Sequence, residues 1–134
     1  MVDLVRVVRP GGRISPAQGT PGMRREEAIA GDGFWLGLVT VDPGVTTGWH
    51  HHGEHDTYVY VLEGSLHLEF GPGGSGMADA RPDDFLHIPA GVVHREGSPE
   101  GAGLRAVVAR RGSGPLTVNV DGPDADDPVS AEGG

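Results

Sequence analysis

Four of the seven histidines in this chain lie within six positions, in the segment 48–64, which reads GWHHHGEHDTYVYVLEG. Imidazole nitrogens are common ligands of transition metals, so the cluster is a candidate metal site. If a β-strand runs through it, His50 and His52 point to one side and His51 to the other. Two imidazoles at this spacing supply only half of a metal site. The alternative is a surface loop that is rich in histidine.

The segment 44–64 resembles the first sequence motif of the cupin family, G-x5-H-x-H-x3,4-E-x6-G. Gly44 opens it, His50 and His52 follow at the motif spacing, and Gly64 closes it. The second cupin motif, G-x5-P-x-G-x2-H-x3-N, resembles the segment DDFLHIPAGVVHREGS at 83–98. Pro89, Gly91 and His94 match this motif. The chain departs from it at the two ends, where Asp83 stands at the glycine position and Ser98 at the asparagine position.

The resemblance implies an all-β fold, the double-stranded β-helix or jelly-roll barrel of the cupins, in one domain over residues 1–120. It also implies that His50, His52 and His94 point into the barrel and hold one divalent metal ion. A third imidazole from a distant segment agrees with this, because a metal inside a barrel needs ligands from more than one strand. Fe(II) is favoured, with Zn, Ni, Mn or Cu as alternatives that imidazole also suits.

The sequence departs from the family pattern at one ligand. Register with His52 and Gly64 places the motif glutamate at position 57, where the chain has Thr57. Three replacements are open: His55, about 6 to 7 Å further along the same strand face; Asp56, which fits the shorter spacing but shifts Gly64 out of register; or no replacement. We favour a site of three histidines with open positions.

Within the cupins, a three-histidine site is similar to those of thiol dioxygenases and β-diketone-cleaving dioxygenases, which hold Fe(II). We therefore expect a dioxygenase that acts on a small organic substrate. A Zn, Ni or Mn isomerase or hydrolase is an alternative, since a metal-bound water serves such reactions. A non-catalytic cupin that binds or senses a small molecule is another. A sensor usually carries an attached DNA-binding or signalling domain, and a chain of 134 residues has no room for one beside the barrel. This favours the enzyme.

Two further residues are candidates for catalysis. Strand alternation puts Glu96 on the face of His94, where it could act as a base or hydrogen-bond partner near the metal. Its alternative is an exposed ion pair with Arg95. His87 precedes the PAG turn and either lines the cavity or lies half-exposed on the outer face.

The elements that must position these residues are short strands. Gly and Pro, 24 and 11 residues, separate the apolar runs as turns separate strands. Tyr58 and Tyr60 alternate with two valines and are predicted to face outward if Thr57 faces the cavity. Residues 23–30, MRREEAIA, fit a helical turn or a strand. The apolar runs lie at 4–8, 34–41, 58–62, 66–70, 85–88, 104–109 and 116–120.

Composition limits the partners. The net charge is −9 and all ten basic residues are arginine, so we expect neither nucleic acid nor a membrane as partner. Cysteine is absent, which excludes thiolate ligands from this chain. No signal-peptide core or membrane span is visible in the sequence, which predicts a cytoplasmic protein. Exposed sheet edges predict a homodimer, and the acidic residues 121–134 are predicted to be a disordered tail.

Overall fold

The computed structural model describes residues 4–16, 22–98 and 101–123. Ten β-strands make up nearly all of the regular structure in these residues, and the two helical segments are short 3-10 turns at Pro10–Gly12 and Pro72–Gly74. The strands are β1 Met23–Gly31, β2 Phe34–Val41, β3 His50–His51, β4 Glu54–Gly64, β5 Leu66–Phe70, β6 Gly76–Ala80, β7 Phe85–Ile88, β8 His94–Gly97, β9 Leu104–Ser113 and β10 Val118–Asn119.

The strands form two five-stranded sheets in which neighbours are antiparallel. Sheet I has the order β1-β2-β9-β4-β7, and sheet II has the order β10-β3-β8-β5-β6. Neighbours distant in the sequence, such as β4 and β9, pair along most of their length. This arrangement confirms the predicted all-β jelly-roll barrel.

The core lies between the inner faces of the two sheets. In β4 the buried positions alternate, so Thr57, Val59 and Val61 face inward. Tyr58, 46% exposed, faces outward as predicted. The largest buried apolar side chain is Trp35 of β2. The other core residues, contributed by both sheets, are Val39, Val41, Val59, Val61, Leu66, Ala80, Leu104, Ala106 and Val108.

Two segments differ from what the apolar runs indicate. Residues 4–8 form no strand, and Leu4, Val5 and Val7 are largely exposed, so this run was wrongly read as a strand. The outer edge of β1 is contacted instead by Ile14, which forms an antiparallel bridge with Glu27. The ambiguous segment MRREEAIA is a strand, because it pairs with β2 from Met23 to Gly31.

The turn before β7 explains one departure from the second motif. Asp83 has φ of 78°, the left-handed region in which glycine is favoured. Aspartate is one of the few other residues that tolerate this region, because its short side chain can form local hydrogen bonds. The Asp83 carboxylate accepts a hydrogen bond from the hydroxyl of Tyr60. Asp83 therefore takes over the conformational role of the motif glycine.

Most of the predicted acidic tail, residues 124–134, lies outside the described residues. Within the described part of the chain, no helix has the length and apolar character needed to cross a membrane.

Candidate metal centre

Three buried histidines meet inside the barrel. His50 on β3 is paired directly with His94 on β8, and His52 follows β3 by one residue. The three side chains are His50, 0% exposed, His94, 0% exposed, and His52, 3% exposed. Each offers a ring nitrogen, and these atoms all lie within 4.8 Å of one another. The structure thus brings together the three histidines that the sequence singled out.

Each ring is oriented by a backbone carbonyl. Nδ1 of His50 lies 2.9 Å from the carbonyl oxygen of Gly48, and Nδ1 of His94 lies 2.9 Å from that of Val92. Nδ1 of His52 lies 2.8 Å from the carbonyl oxygen of Leu116. A carbonyl can only accept, so each Nδ1 carries the hydrogen and each Nε2 presents a lone pair.

The three Nε2 atoms are buried and have no hydrogen-bond partner among the described residues. A buried polar atom without a partner is costly, because it has lost water and gained nothing in return. Metal-binding histidines show this same pattern, in which one nitrogen donates to a fixed acceptor and the other faces the ion. The residues therefore fit a divalent metal ion.

Glu96 on β8 lies beside two of the three histidines. It is 6% exposed, and its Oε1 lies 3.3 Å from Nε2 of His50 and 3.8 Å from Nε2 of His94. Its backbone is fixed by two hydrogen bonds exchanged with Thr47. Because Nε2 of a neutral His50 has no hydrogen to give, a carboxylate oxygen faces an imidazole lone pair. A cation between the two would satisfy both.

The charge states suit metal ligands. Burial lowers the pKa of His94 to about 4. Burial, with smaller contributions from Arg110, His94 and His50, lowers the pKa of His52 far below its usual range. Burial raises the pKa of Glu96, but the surrounding imidazoles outweigh this effect and leave that pKa below its usual range. Neutral imidazoles and an ionised carboxylate are the forms that coordinate a metal.

Thr57 occupies the inward position that the motif assigns to glutamate. It is 1% exposed and its hydroxyl oxygen has no hydrogen-bond partner among the described residues. Thr57 lines a small interior cavity of about 10 Å³ together with His52 and Glu96. That volume holds about one water molecule. The carboxylate that position 57 lacks is thus supplied to the same region by Glu96 from the other sheet.

The remaining sequence candidates lie away from the three histidines. Asp56 faces outward and its carboxylate lies 3.0 Å from Nε2 of His87, which stacks on Tyr58 at 5.0 Å. His87, half-exposed, is therefore on the outer face and does not line the cavity. His55 is buried, but its Nδ1 is held by the carbonyl oxygen of His52, and it is not part of the three-nitrogen group.

Sequence reasoning missed two buried arginines. Arg25 on β1 is 6% exposed and Arg110 on β9 is 3% exposed. The signal was present: in LRAVVARR, position 110 continues the alternation of inward Leu104, Ala106 and Val108. Burial, opposed by Glu96, lowers the pKa of Arg25. Burial and then the charge of Arg25 lower the pKa of Arg110 to about 9, with Glu96 again opposing.

Comparison with known proteins identifies the family. Residues 37–109, more than half of the chain, match the sequence model of the Cupin domain. This chain belongs to the cupin family. The matched range includes the three histidines and Glu96. A curated relative, the uncharacterized protein YdbB of Bacillus subtilis (strain 168), is 43% identical to this cupin over 47 residues. That match spans 35% of this chain and 40% of the relative.

Solved structures share the fold of this cupin. The polyketide cyclase RemF from Streptomyces resistomycificus superposes with a TM-score of 0.70 and 25% identity, covering 87% of this chain and 86% of that one. KdgF from Halomonas sp. gives a TM-score of 0.62 and 18% identity, covering 81% and 96%. An oxalate oxidase gives 0.62 and 21%, covering 74% of this chain and 55% of that one.

The arrangement in this cupin can hold a metal ion. Three imidazole nitrogens and one carboxylate oxygen are a donor set for Fe, Zn, Ni, Mn or Cu. Four protein ligands leave positions open in an octahedral sphere. The walls of the adjoining cavity are mostly apolar, including Val59, Leu66 and Val108.

Proposed function

We propose that this cupin is a metal-dependent dioxygenase that acts on a small organic substrate. The proposed ligands of one divalent ion, with Fe(II) favoured, are His50, His52, His94 and Glu96. One observation carries the proposal: three buried imidazoles have Nδ1 fixed by carbonyl oxygens and Nε2 without a hydrogen-bond partner among the described residues.

The donor set supports oxygen chemistry. Mixed imidazole and carboxylate ligation with open positions is typical of non-haem Fe(II) oxygenases. When bound, Fe(II) would activate dioxygen for reaction with an organic molecule, and the organic molecule itself would provide the electrons that reduce the oxygen. The sequence analysis favoured a site in which nothing replaces the motif glutamate. In the proposed site Glu96 takes that role, so there are four protein ligands rather than three.

The residues of the chain itself have three tasks in this proposal. The carbonyl oxygens of Gly48, Val92 and Leu116 hold the imidazoles in one tautomer and one orientation. The carboxylate of Glu96 offsets part of the positive charge of the ion. The apolar cavity wall excludes bulk water, which protects reactive species and strengthens nearby electrostatic interactions.

Oxygen uptake tests the proposal. Protein reconstituted anaerobically with Fe(II) is mixed with thiols, diketones, phenols and phenolic acids while dissolved oxygen is recorded. We expect at least one class to consume oxygen stoichiometrically with product, and His94→Ala to abolish the uptake. His51→Ala is the matched control, because its ring lies outside the group. A complete lack of uptake in the loaded wild type, with stoichiometric iron bound, would contradict the dioxygenase.

A metal-dependent cyclase is the second candidate, and the match to the polyketide cyclase RemF supports it, since it covers 87% of this chain at 25% identity. A cyclisation without net oxidation needs the ion only to polarise an oxygen of the substrate. The two candidates therefore separate by metal: a Zn-loaded cyclase converts a polyketone without oxygen uptake, whereas a dioxygenase requires Fe(II) and oxygen.

A further inference from the structure

A second, larger cavity shares Arg110 with the small interior cavity that His52 and Glu96 line. Its volume is about 290 Å³, near the lower end of the range for small-molecule sites. Its wall includes Arg25, Trp35 and Arg110 of sheet I, together with Leu116 and Thr117, which precede β10. Neither arginine belongs to the proposed set of metal ligands.

Arg110 is the most informative residue in this wall. Its side chain is 3% exposed, and its Nε is buried with no hydrogen-bond partner among the described residues. The Cζ atom of its guanidinium lies over the Trp35 ring, 5.2 Å from the ring centre. A guanidinium carries five N–H donors in a planar fork, and its Nε–H is available to an acceptor in the cavity.

The charge balance favours an anion in this cavity. Arg25 and Arg110 bring two positive charges to its wall, and none of the lining residues is acidic. A divalent ion on the three histidines would add two more. Buried charges are tolerated when an opposite charge accompanies them. The lowered pKa of Arg110 has the same origin, since burial and Arg25 both disfavour its charge.

The cavity adjoins the metal centre through two shared residues. Arg110 also lines the small interior cavity that contains His52 and Glu96. Leu116 lines the larger cavity, and its carbonyl oxygen orients His52. A ligand held at Arg110 would therefore have its remaining atoms close to the metal ligands.

We propose that Arg110, with Arg25 as a second positive charge, binds the carboxylate of a small organic substrate in this cavity. The carboxylate is favoured over free phosphate because other parts of the cavity wall, including Trp35, Pro115 and Leu116, are apolar and suit the organic part of a carboxylic acid. Its catalytic meaning rests on the proposed function, since the arginine holds the anionic end while the rest of the molecule reaches the metal. The binding itself requires no metal.

Calorimetry and ligand-observed NMR with matched probes test the inference. Benzoate and propionate are compared with their neutral amides, and inorganic phosphate is included, on protein as purified and on protein reloaded with Zn(II). We expect each carboxylate to bind at least about tenfold more tightly than its amide, because a charged acceptor strengthens the hydrogen bonds from Arg110. Phosphate is expected to bind more weakly than benzoate.

Substitutions locate the binding. Arg110→Gln should weaken benzoate binding by about tenfold or more and remove the preference over benzamide. Arg111→Gln is the matched control, because position 111 is the next residue on β9 and is exposed; it should change affinity less than about twofold. Circular dichroism verifies folding. If Arg110→Gln does not fold, Arg110→Lys serves, because it keeps the charge and loses the planar edge, and should weaken benzoate severalfold.

The outcomes are distinct from those of the proposed function. Equal binding of acids and amides, no binding of either carboxylate, tighter binding of phosphate than of both carboxylates, or unchanged benzoate affinity in the Arg110 variant would overturn the inference. Benzoate binding that depends on Arg110 in a protein that holds no metal would uphold the inference while contradicting the proposed function.

Discussion

The two sheets of the barrel differ on both faces. On its inner face, sheet II contributes the candidate metal ligands His50, His94 and Glu96, whereas sheet I contributes the two buried arginines. The first set suits a cation and the second suits an anion. The interior therefore has two chemically different walls.

The outer faces differ as well. Sheet I shows aromatic side chains around its edge strand β7, where Phe85 is 81% exposed and packs on Tyr60 at 4.8 Å. Sheet II shows a charged network instead, in which Glu69 binds Arg95 and His67 binds Asp79. The inner faces of the two sheets differ in the ligands that they suit, and the outer faces differ in the partners that they suit. Each can be tested separately.

The largest expected effect is loss of metal from sheet II. His50→Ala, His52→Ala and His94→Ala should each reduce bound metal to less than about 0.1 ion per chain, because each removes one of the three imidazole nitrogens that would surround the ion, a larger loss than that of a supporting group. Elemental analysis of protein loaded with Fe(II) or Zn(II) measures this. His51→Ala should remain fully loaded, since its Nδ1 accepts a hydrogen bond from the backbone of Gly53, outside the group. Equal loss in the His51 and His52 variants would contradict the assignment.

A smaller loss is expected when the carboxylate is removed. Glu96→Gln should weaken metal binding by about tenfold to a hundredfold in a competition titration, the range seen when a supporting ligand is lost. His55→Ala and Asp56→Ala are controls, because these side chains lie outside the cluster, and both should retain metal. Wild-type affinity in Glu96→Gln would refute Glu96 as a ligand. Metal loss in either control would show that His55 or Asp56 contributes to the site instead.

Moving the carboxylate to the other sheet sharpens this result. Thr57 faces the same cavity as Glu96, so the double variant Thr57→Glu with Glu96→Gln should recover metal affinity relative to Glu96→Gln alone. The expected recovery is at least about threefold. No recovery, with folding intact by circular dichroism, would mean that position 57 does not reach the ion.

The last prediction concerns self-association through sheet I. We expect a homodimer at micromolar concentration, with the aromatic patch of Tyr58, Tyr60 and Phe85 at its interface. Phe85→Glu should weaken the dimer by about tenfold or more in sedimentation equilibrium. Met77→Glu is the matched control, because Met77 is also exposed, at 65%, but lies on β6 of sheet II. A wild-type mass of a single 13.9 kDa chain would contradict the dimer.

The sequence alone was sufficient for the fold and for the three histidines. Motif spacing placed His50, His52 and His94 correctly in relation to one another, and strand alternation placed Thr57 inward and Glu96 on the face of His94. It was not sufficient for the contact between Glu96 and His50. That contact depends on the direct pairing of His50 with His94 across β3 and β8, a long-range register that no local pattern contains.

Other gaps have equally physical causes. Residues 4–8 have strand composition but form no strand. The edge strand β1, in contrast, has few apolar residues and still pairs with β2 along its length. Arg110 was overlooked because arginine is mostly exposed in proteins, so its inward alternation with Val108 carried less weight than its charge.

The carbonyl oxygens that orient the histidines determine which kinds of mutation can disturb the site. Gly48, Val92 and Leu116 supply these acceptors from the main chain, which every amino acid possesses. No change of side chain at these positions can delete an acceptor; it can only displace one. The candidate metal centre is thus insensitive to many substitutions at these three positions. Its geometry depends instead on the path of the backbone, so it is sensitive to insertions and deletions in the loops that carry these residues.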